Sequence, residues 1–201
     1  MTLDIEMKKD DPKTIVLSWD GQFWRHLGKS LFFNELIKIP QDLSWEDFLS
    51  RFTLLEEKVS KKHAIYLLSQ KALLSSDLLA RLVSKGVSPD AAKASVQYCR
   101  EKGFLDDAQE MARLVAKELK KGQSAKAAFF KLRGKKGIDE GLLREHLQQA
   151  APSDSEALQG WLAKNGKKID RGDPLAMRKL MAKLCRKGFS PDLVFKALGD
   201  I

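Results

Sequence analysis

Cysteine, histidine and long apolar runs are scarce in this chain, and each scarcity closes off a line of chemistry. Only two cysteines and three histidines stand among 201 residues. Cys99 and Cys185 fall on the apolar sides of helical patterns, so both are expected as small buried hydrophobes rather than as a disulfide. His26, His63 and His146 are scattered without ligand spacing, and no metal site is expected. No run approaches the ~20 apolar residues of a membrane span. Residues 1–12 are acidic and polar, unlike a secretory leader. A cytoplasmic protein with no membrane contact is expected. Catalytic signatures are missing too. Gly134-Lys135-Lys136-Gly137 lacks the strand before it and the Ser or Thr after it that a phosphate loop needs. There is no Gly-x-Ser-x-Gly elbow, and Cys99 has no histidine near it in sequence. No enzyme and no cofactor are expected, which leaves a binding protein.

What the chain does contain is internal repetition. Lys85-Gly86-Val87-Ser88-Pro89-Asp90 recurs as Lys187-Gly188-Phe189-Ser190-Pro191-Asp192, with Lys136-Gly137-Ile138-Asp139-Glu140 between them. The glycines are 51 residues apart twice over (137 − 86 and 188 − 137), and such a period fixes the architecture. Apolar residues keep register after each glycine: Val87, Ile138 and Phe189; Ala91, Leu142 and Leu193; Ala92, Leu143 and Val194; Val96, Leu147 and Leu198. That spacing is one face of a helix. Glycine closes the preceding helix. Ser88, Asp139 and Ser190 stand where an N-cap belongs, and Pro89 and Pro191 fill the first turn. One register slip occurs: Leu82 and Leu184 lie four residues before their glycines, but Leu132 lies five before Gly137. The extra residue is assigned to the turn at 133–136.

The reading along the chain gives a mainly α fold with five segments. Residues 1–40 form a small β-hairpin unit. Thr14–Trp19 and Gln22–Leu27 are its strands, Asp20-Gly21 is a type I′ turn, and Leu17 faces Trp24. Ser30–Leu36 is expected as a third strand. Trp19 and Trp24 are assigned to packing. Residues 41–60 form a connecting helix capped by Ser44. Three tandem three-helix repeats follow at 61–104, 105–151 and 152–201, each too small to fold well alone. In Asp106-Asp107 the carboxylates are expected to cap the next helix. That helix carries Ala108, Met111, Ala112, Val115, Ala116 and Leu119 on one face and a basic stripe of Arg113, Lys117, Lys120 and Lys121 on another.

The net charge of +9 is uneven. Residues 1–60 hold 8 basic and 11 acidic side chains, residues 61–136 hold 17 and 7, and residues 137–201 hold 11 and 9. The excess therefore sits in the middle. Such a block suits a polyanion or an acidic protein surface, and a merely solvated helical face gives the same count. The candidate partner- or DNA-binding residues are Arg81, Lys85, Arg113, Lys117, Lys120, Lys121, Lys131, Lys135 and Lys136.

Several motifs occur together at characteristic spacing: Tyr66-Leu67-Leu68, Leu78 and Leu82, Lys85-Gly86-Val87, Gly103-Phe104-Leu105-Asp106-Asp107, Ala112, Lys121-Gly122, Lys136-Gly137-Ile138 and Lys187-Gly188-Phe189-Ser190. Over residues 62–201 the chain resembles the RecX family, bacterial regulators of the RecA recombinase. It departs from the family pattern at Lys71, Leu74 and Ser124. The resemblance implies tandem three-helix repeats in an elongated, curved array. It also implies a monomer that binds the RecA filament on single-stranded DNA and reduces filament extension, ATP hydrolysis and strand exchange. Two other readings share the same residues. One is a helical-repeat module that binds single- or double-stranded DNA through the basic middle repeats, although no aromatic stacking platform is evident in the sequence. The other is a scaffold whose charge only solubilises it.

Overall fold

The computed structural model describes residues 3–40, 42–135, 137–165 and 172–199. The chain divides into two compact units, residues 1–107 and 108–201.

The first unit begins with an antiparallel sheet in the order β1 (Leu3–Lys8), β2 (Asp11–Trp19), β3 (Gln22–Gly28). Asp20 and Gly21 both take positive φ, 48° and 75°, which is the type I′ turn their sequence asks for. A bulge between Leu17 and Ser18 shifts the pairing, so Leu17 lies opposite Arg25 and not Trp24. The third strand comes from the polar N-terminal segment as β1. Ser30–Leu36, expected as that strand, instead lies in helix α1 (Lys29–Leu36). Its Phe32 and Leu36, one helical turn apart, are fully buried beside Ile15, Leu17 and Leu27. A strand would bring Asn34 to the same face as both, yet Asn34 is exposed, as helical spacing requires.

Helix α2 (Trp45–Gln70) runs unbroken through Lys61-Lys62, with Ser44 accepting the Asp47 backbone N–H at its start. Helices α3 (Ser75–Ser84) and α4 (Pro89–Glu101) complete the unit. Phe48, Phe52, Leu78, Leu82, Ala92 and Cys99 join the sheet residues in one core. Trp19, Trp24 and Trp45 pack on it, with Trp19 and Trp45 centroids 5.0 Å apart and Trp24 edge-on to Phe52 at 4.9 Å. The Asp107 carboxylate accepts the Ser75 N–H at 2.7 Å and pairs with Arg100 at 2.7 Å, so it also serves the start of α3.

The second unit holds α5 (Asp107–Leu119), α6 (Ala125–Arg133), α7 (Glu140–Ala150), α8 (Asp154–Asn165), α9 (Pro174–Arg186) and α10 (Pro191–Gly199). Met111, Val115, Ala128, Leu132, Leu143 and Leu147 bury together, as do Leu158, Trp161, Leu162, Leu180, Leu184, Phe189 and Val194. Ala92, Leu143 and Val194, which share one register position, are all fully buried. Ser88, Asp139 and Ser190 accept the N–H groups of Ala91, Leu142 and Leu193 as N-caps. Cys185 departs from its expected burial: it is exposed, because α9 buries Leu180 and Leu184 and Cys185 lies about 100° further round. The register slip falls after Arg133. Helices α3 and α9 end two residues before Gly86 and Gly188, and α6 ends four before Gly137.

The repeated glycine turns do more than stop helices. At Gly86, φ is +83°, and a Cβ there would meet the His26 carbonyl oxygen at 2.5 Å and Leu27 Cα at 2.8 Å. The neighbouring Lys85 carbonyl accepts the Gly28 N–H at 2.8 Å. At Gly188, φ is +92°, and a Cβ would collide with Ser124 Oγ and come within 2.7 Å of Ala127 Cβ. Here the Lys187 carbonyl accepts the Ser124 N–H at 2.9 Å. Both turns thus dock, through the same two residues, onto the start of a helix elsewhere in their own unit.

This geometry orders three substitutions. Gly103 has φ +70° but open space around it, so Gly103→Ala should cost only the left-handed strain of about 1–2 kcal/mol. Gly86→Ala and Gly188→Ala add backbone and side-chain collisions and should each cost at least about 3 kcal/mol. Urea unfolding of the three variants measures this, and equal losses would show that the close approach contributes nothing.

Candidate functional site

The basic residues singled out from sequence divide between the two units. Arg81 and Lys85 are exposed on α3 and at its C-terminus. Arg113, Lys117, Lys120, Lys121, Lys131 and Lys135 are exposed in the second unit. Lys136 lies outside the described residues. Helix α5 is rotated from the expected apolar face. Ala112 and Ala116 are exposed, while Glu110 and Glu118 are buried beside Met111 and Val115.

Those two carboxylates organise the stripe. Arg113 makes a bidentate pair with Glu110, at 2.6 and 2.8 Å. Glu118 accepts Lys121 at 2.7 Å, Lys131 at 3.1 Å and the Gln123 amide at 3.2 Å. Burial pushes the Glu118 carboxyl up, but the hydrogen bonds from Lys121 and Lys131 outweigh it and hold the group below the usual glutamate range. Its hydrogen bond to Glu118 raises the Lys121 ammonium above the ordinary lysine value. Lys117, Lys120 and Lys135 make no ion pair among the described residues. The expected uniform stripe is therefore two populations: cations tied to buried acids, and cations free to meet a partner.

The structure adds cations that the sequence reading left out. Lys183 and Lys187 stand over the Trp161 ring, 5.1 and 5.7 Å from its centroid. The Lys187 ammonium also donates to the Lys121 carbonyl at 2.6 Å. Burial, then repulsion from Lys183 and Lys131, holds Lys187 below the ordinary lysine value. A cleft of about 400 Å³ lies alongside, lined by Lys120, Lys121, Gly122, Trp161 and Lys164. A signal for Lys183 exists in the repeats. The residues just before Leu82, Leu132 and Leu184 are Arg81, Lys131 and Lys183, a cation each time. All three are exposed.

In unit one, Glu56 plays the part that Glu118 plays in unit two. It is 5% exposed and accepts Arg25 at 2.7 Å and both the N–H and the hydroxyl of Ser88 at 2.8 Å. Arg25 also donates to the Gly86 carbonyl at 2.8 Å. Strand β3, α2 and the α3–α4 turn meet at this one carboxylate. Among the described residues no helix is long and apolar enough to cross a membrane.

No family model matches the sequence. Two curated proteins are similar to it, each named regulatory protein RecX. The protein from Caldanaerobacter subterraneus subsp. tengcongensis is 24% identical over 137 residues, which is 68% of this chain and 69% of that one. The protein from Chromohalobacter salexigens is 28% identical over 143 residues, 71% of this chain and 93% of its own length. Among solved structures, a crystal structure of regulatory protein RecX matches over the whole of both chains, with a TM-score of 0.62 at 19% identity. A crystal structure of RecX from Lactobacillus salivarius covers 73% of this chain and 98% of its own, with a TM-score of 0.56 at 18% identity.

The Glu118 cluster carries a pH dependence. A carboxyl held below its unfolded value contributes stability that is present above about pH 4.3, the ordinary glutamate value, and is lost as pH falls through the folded value. Glu118→Gln should cost about 1 kcal/mol at pH 7 and flatten the acid limb of stability against pH. Urea unfolding from pH 7 down to pH 3 measures both. Parallel curves for the two proteins would show that the cluster holds no titrating stability.

Proposed function

We propose that this chain, similar to two regulatory proteins RecX and to RecX crystal structures in fold, is a member of that family and regulates a RecA recombinase by binding the RecA filament on single-stranded DNA. In this reading it inhibits filament extension, ATP hydrolysis and strand exchange. The observation that carries the reading is the pairing of two RecX relatives with a dense exposed cationic surface on α5 and the α6–α7 turn. The basic residues act mainly as point charges toward acidic protein surfaces and DNA phosphates, so single changes have small effects and combined reversals large ones. Lys117, Lys120 and Lys135 are the strongest contact residues, since no carboxylate holds them. Arg113, Lys121 and Lys131 shape the surface while tied to Glu110 and Glu118. Arg81, Lys85, Lys136 and, beyond the sequence reading, Lys183 extend the same set. A monomeric, cytoplasmic protein belongs to this reading, because its partner works on chromosomal DNA.

The test is the ATPase rate of the cognate RecA on single-stranded DNA, titrated with this protein. Inhibition well below one copy per RecA monomer is expected. Inhibition only once the protein covers the DNA would favour the nucleic-acid module without a recombinase partner, and no inhibition at any ratio would end the RecA reading. The triple variant Lys117→Glu, Lys120→Glu, Lys135→Glu should lose at least about tenfold in potency at moderate salt while keeping its fold. Unchanged potency would remove these residues from the contact surface.

A further inference from the structure

Phe130 is an aromatic ring outside the buried core. It lies on α6 and is 55% exposed. Its neighbour Phe129 packs in the α5–α7 core and meets it edge-on, with ring centroids 5.7 Å apart. The Arg133 guanidinium stands 5.4 Å from the Phe130 centroid and 5.8 Å from that of Phe129. Arg144 lies 4.4 Å over Phe129. Glu140 approaches both guanidinium groups, at 3.6 and 3.8 Å, so the pair is positioned on the aromatic rings.

The repeats supply an internal control. Three residues before the buried anchors Leu82, Leu132 and Leu184 stand Leu79, Phe129 and Met181, all apolar and half-buried. Two before them stand Ala80, Phe130 and Ala182. Two copies of the helix thus serve the same packing with alanine at this position, and only the middle copy places a ring there. The ring borders a cleft of about 460 Å³, whose lining includes Lys126, Phe130, Asp154, Cys185, Phe189 and Pro191. That volume is within the ~300–1,000 Å³ of small-ligand clefts. Charge selects the occupant. Residues 125–135 hold four cations and no acid; Lys131 and Arg133 pair with Glu118 and Glu140, while Lys126 and Lys135 make no ion pair among the described residues.

We propose that Phe130, with Arg133 beside it, is a stacking site for an unpaired nucleobase of a single-stranded nucleic acid, with Lys126 and Lys135 meeting the flanking phosphates. A base offers a π face to the ring and the guanidinium, and its backbone offers the negative charge that the helix attracts. An acidic protein surface would answer the charge but leave the ring in water. A duplex would answer the charge with its bases already stacked. The proposal concerns free nucleic acid and does not depend on the recombinase reading.

Fluorescence anisotropy tests it with two labelled probes of equal length, oligo(dT) and an abasic deoxyribose-phosphate oligomer, at fixed salt. The protein should prefer oligo(dT) by about tenfold or more. Phe130→Ala and Phe130→Leu should each weaken oligo(dT) binding at least about fivefold while leaving the abasic probe unchanged, and Phe130→Tyr should keep the preference. Three results overturn the proposal: no base preference in the unmodified protein, a preference that survives Phe130→Ala, or equal losses on both probes. If Phe130→Ala weakens binding to DNA-free RecA and leaves the base preference intact, the ring is a protein contact and the proposal also falls. Circular dichroism and Tm of each variant verify that the helix persists. The RecA ATPase titration, run on the same proteins, reports separately on the regulatory reading.

Discussion

Everything in both units depends on one kind of contact: a helix-ending glycine whose missing side chain lets another backbone come in. Gly86 admits the β3–α1 junction at His26 and Leu27, and Gly188 admits the start of α6 at Ser124 and Ala127. In each case the residue before the glycine gives its carbonyl to a free N–H at the start of the docked helix, Gly28 or Ser124. Helix ends leave such groups unpaired, and burying them unpaired costs ~1–3 kcal/mol each. The docking therefore satisfies a donor and packs two elements in a single step. A small helical triplet has too little core of its own, and this contact supplies the neighbour.

Buried carboxylates are the second organising device. Glu56 gathers a strand, a long helix and a turn; Glu118 gathers the end of α5 with α6 through Lys121, Lys131 and Gln123. A carboxylate as buried as these persists only with several donors around it. Their positions explain why the basic stripe cannot be treated as one surface. Reversing Lys121 would set a carboxylate against Glu118 and report on folding, whereas reversing Lys117 reports on the partner. The net charge of the middle segment says nothing of this division, because it counts both kinds of lysine alike.

How much of this was legible in the sequence follows the range of the forces involved. The capped helix starts at Ser88, Asp139 and Ser190, and the glycine stops, are local, and the residues announce them. So is the Asp20-Gly21 turn. Three features were not legible because they depend on what lies across the fold. Ser30–Leu36 is short and apolar, and only the sheet it covers decides that it is helical. Leu17 changes partner because a bulge inserts a residue, which no alternation pattern records. Asp107 bonds Ser75 and Arg100, 32 and 7 residues away, a tie that the local sequence does not record. In the candidate site, the cations were visible as a list, but nothing in their spacing marks Glu110 and Glu118 as the buried acids that hold Arg113, Lys121 and Lys131.

Duplication inside one chain separates what the fold requires from what it permits. Leu82, Leu132 and Leu184 are all fully buried, so an apolar anchor is a condition of packing. The cations at Arg81, Lys131 and Lys183 also recur, but they are exposed, and burial cannot be the reason for them. A recurring exposed charge fits either a helix C-terminus, whose carbonyls favour it, or a shared partner surface. Lys131 satisfies an acid inside the unit, while Lys183 lies on Trp161, so one inherited charge has acquired different local tasks. Phe130 is the opposite case. It breaks a pattern that alanine satisfies twice, at an exposed position where a ring gains nothing from the core. A residue that the copies do not share points to something outside the chain, and the cations on its own helix and turn favour a partner with both negative charge and a flat face.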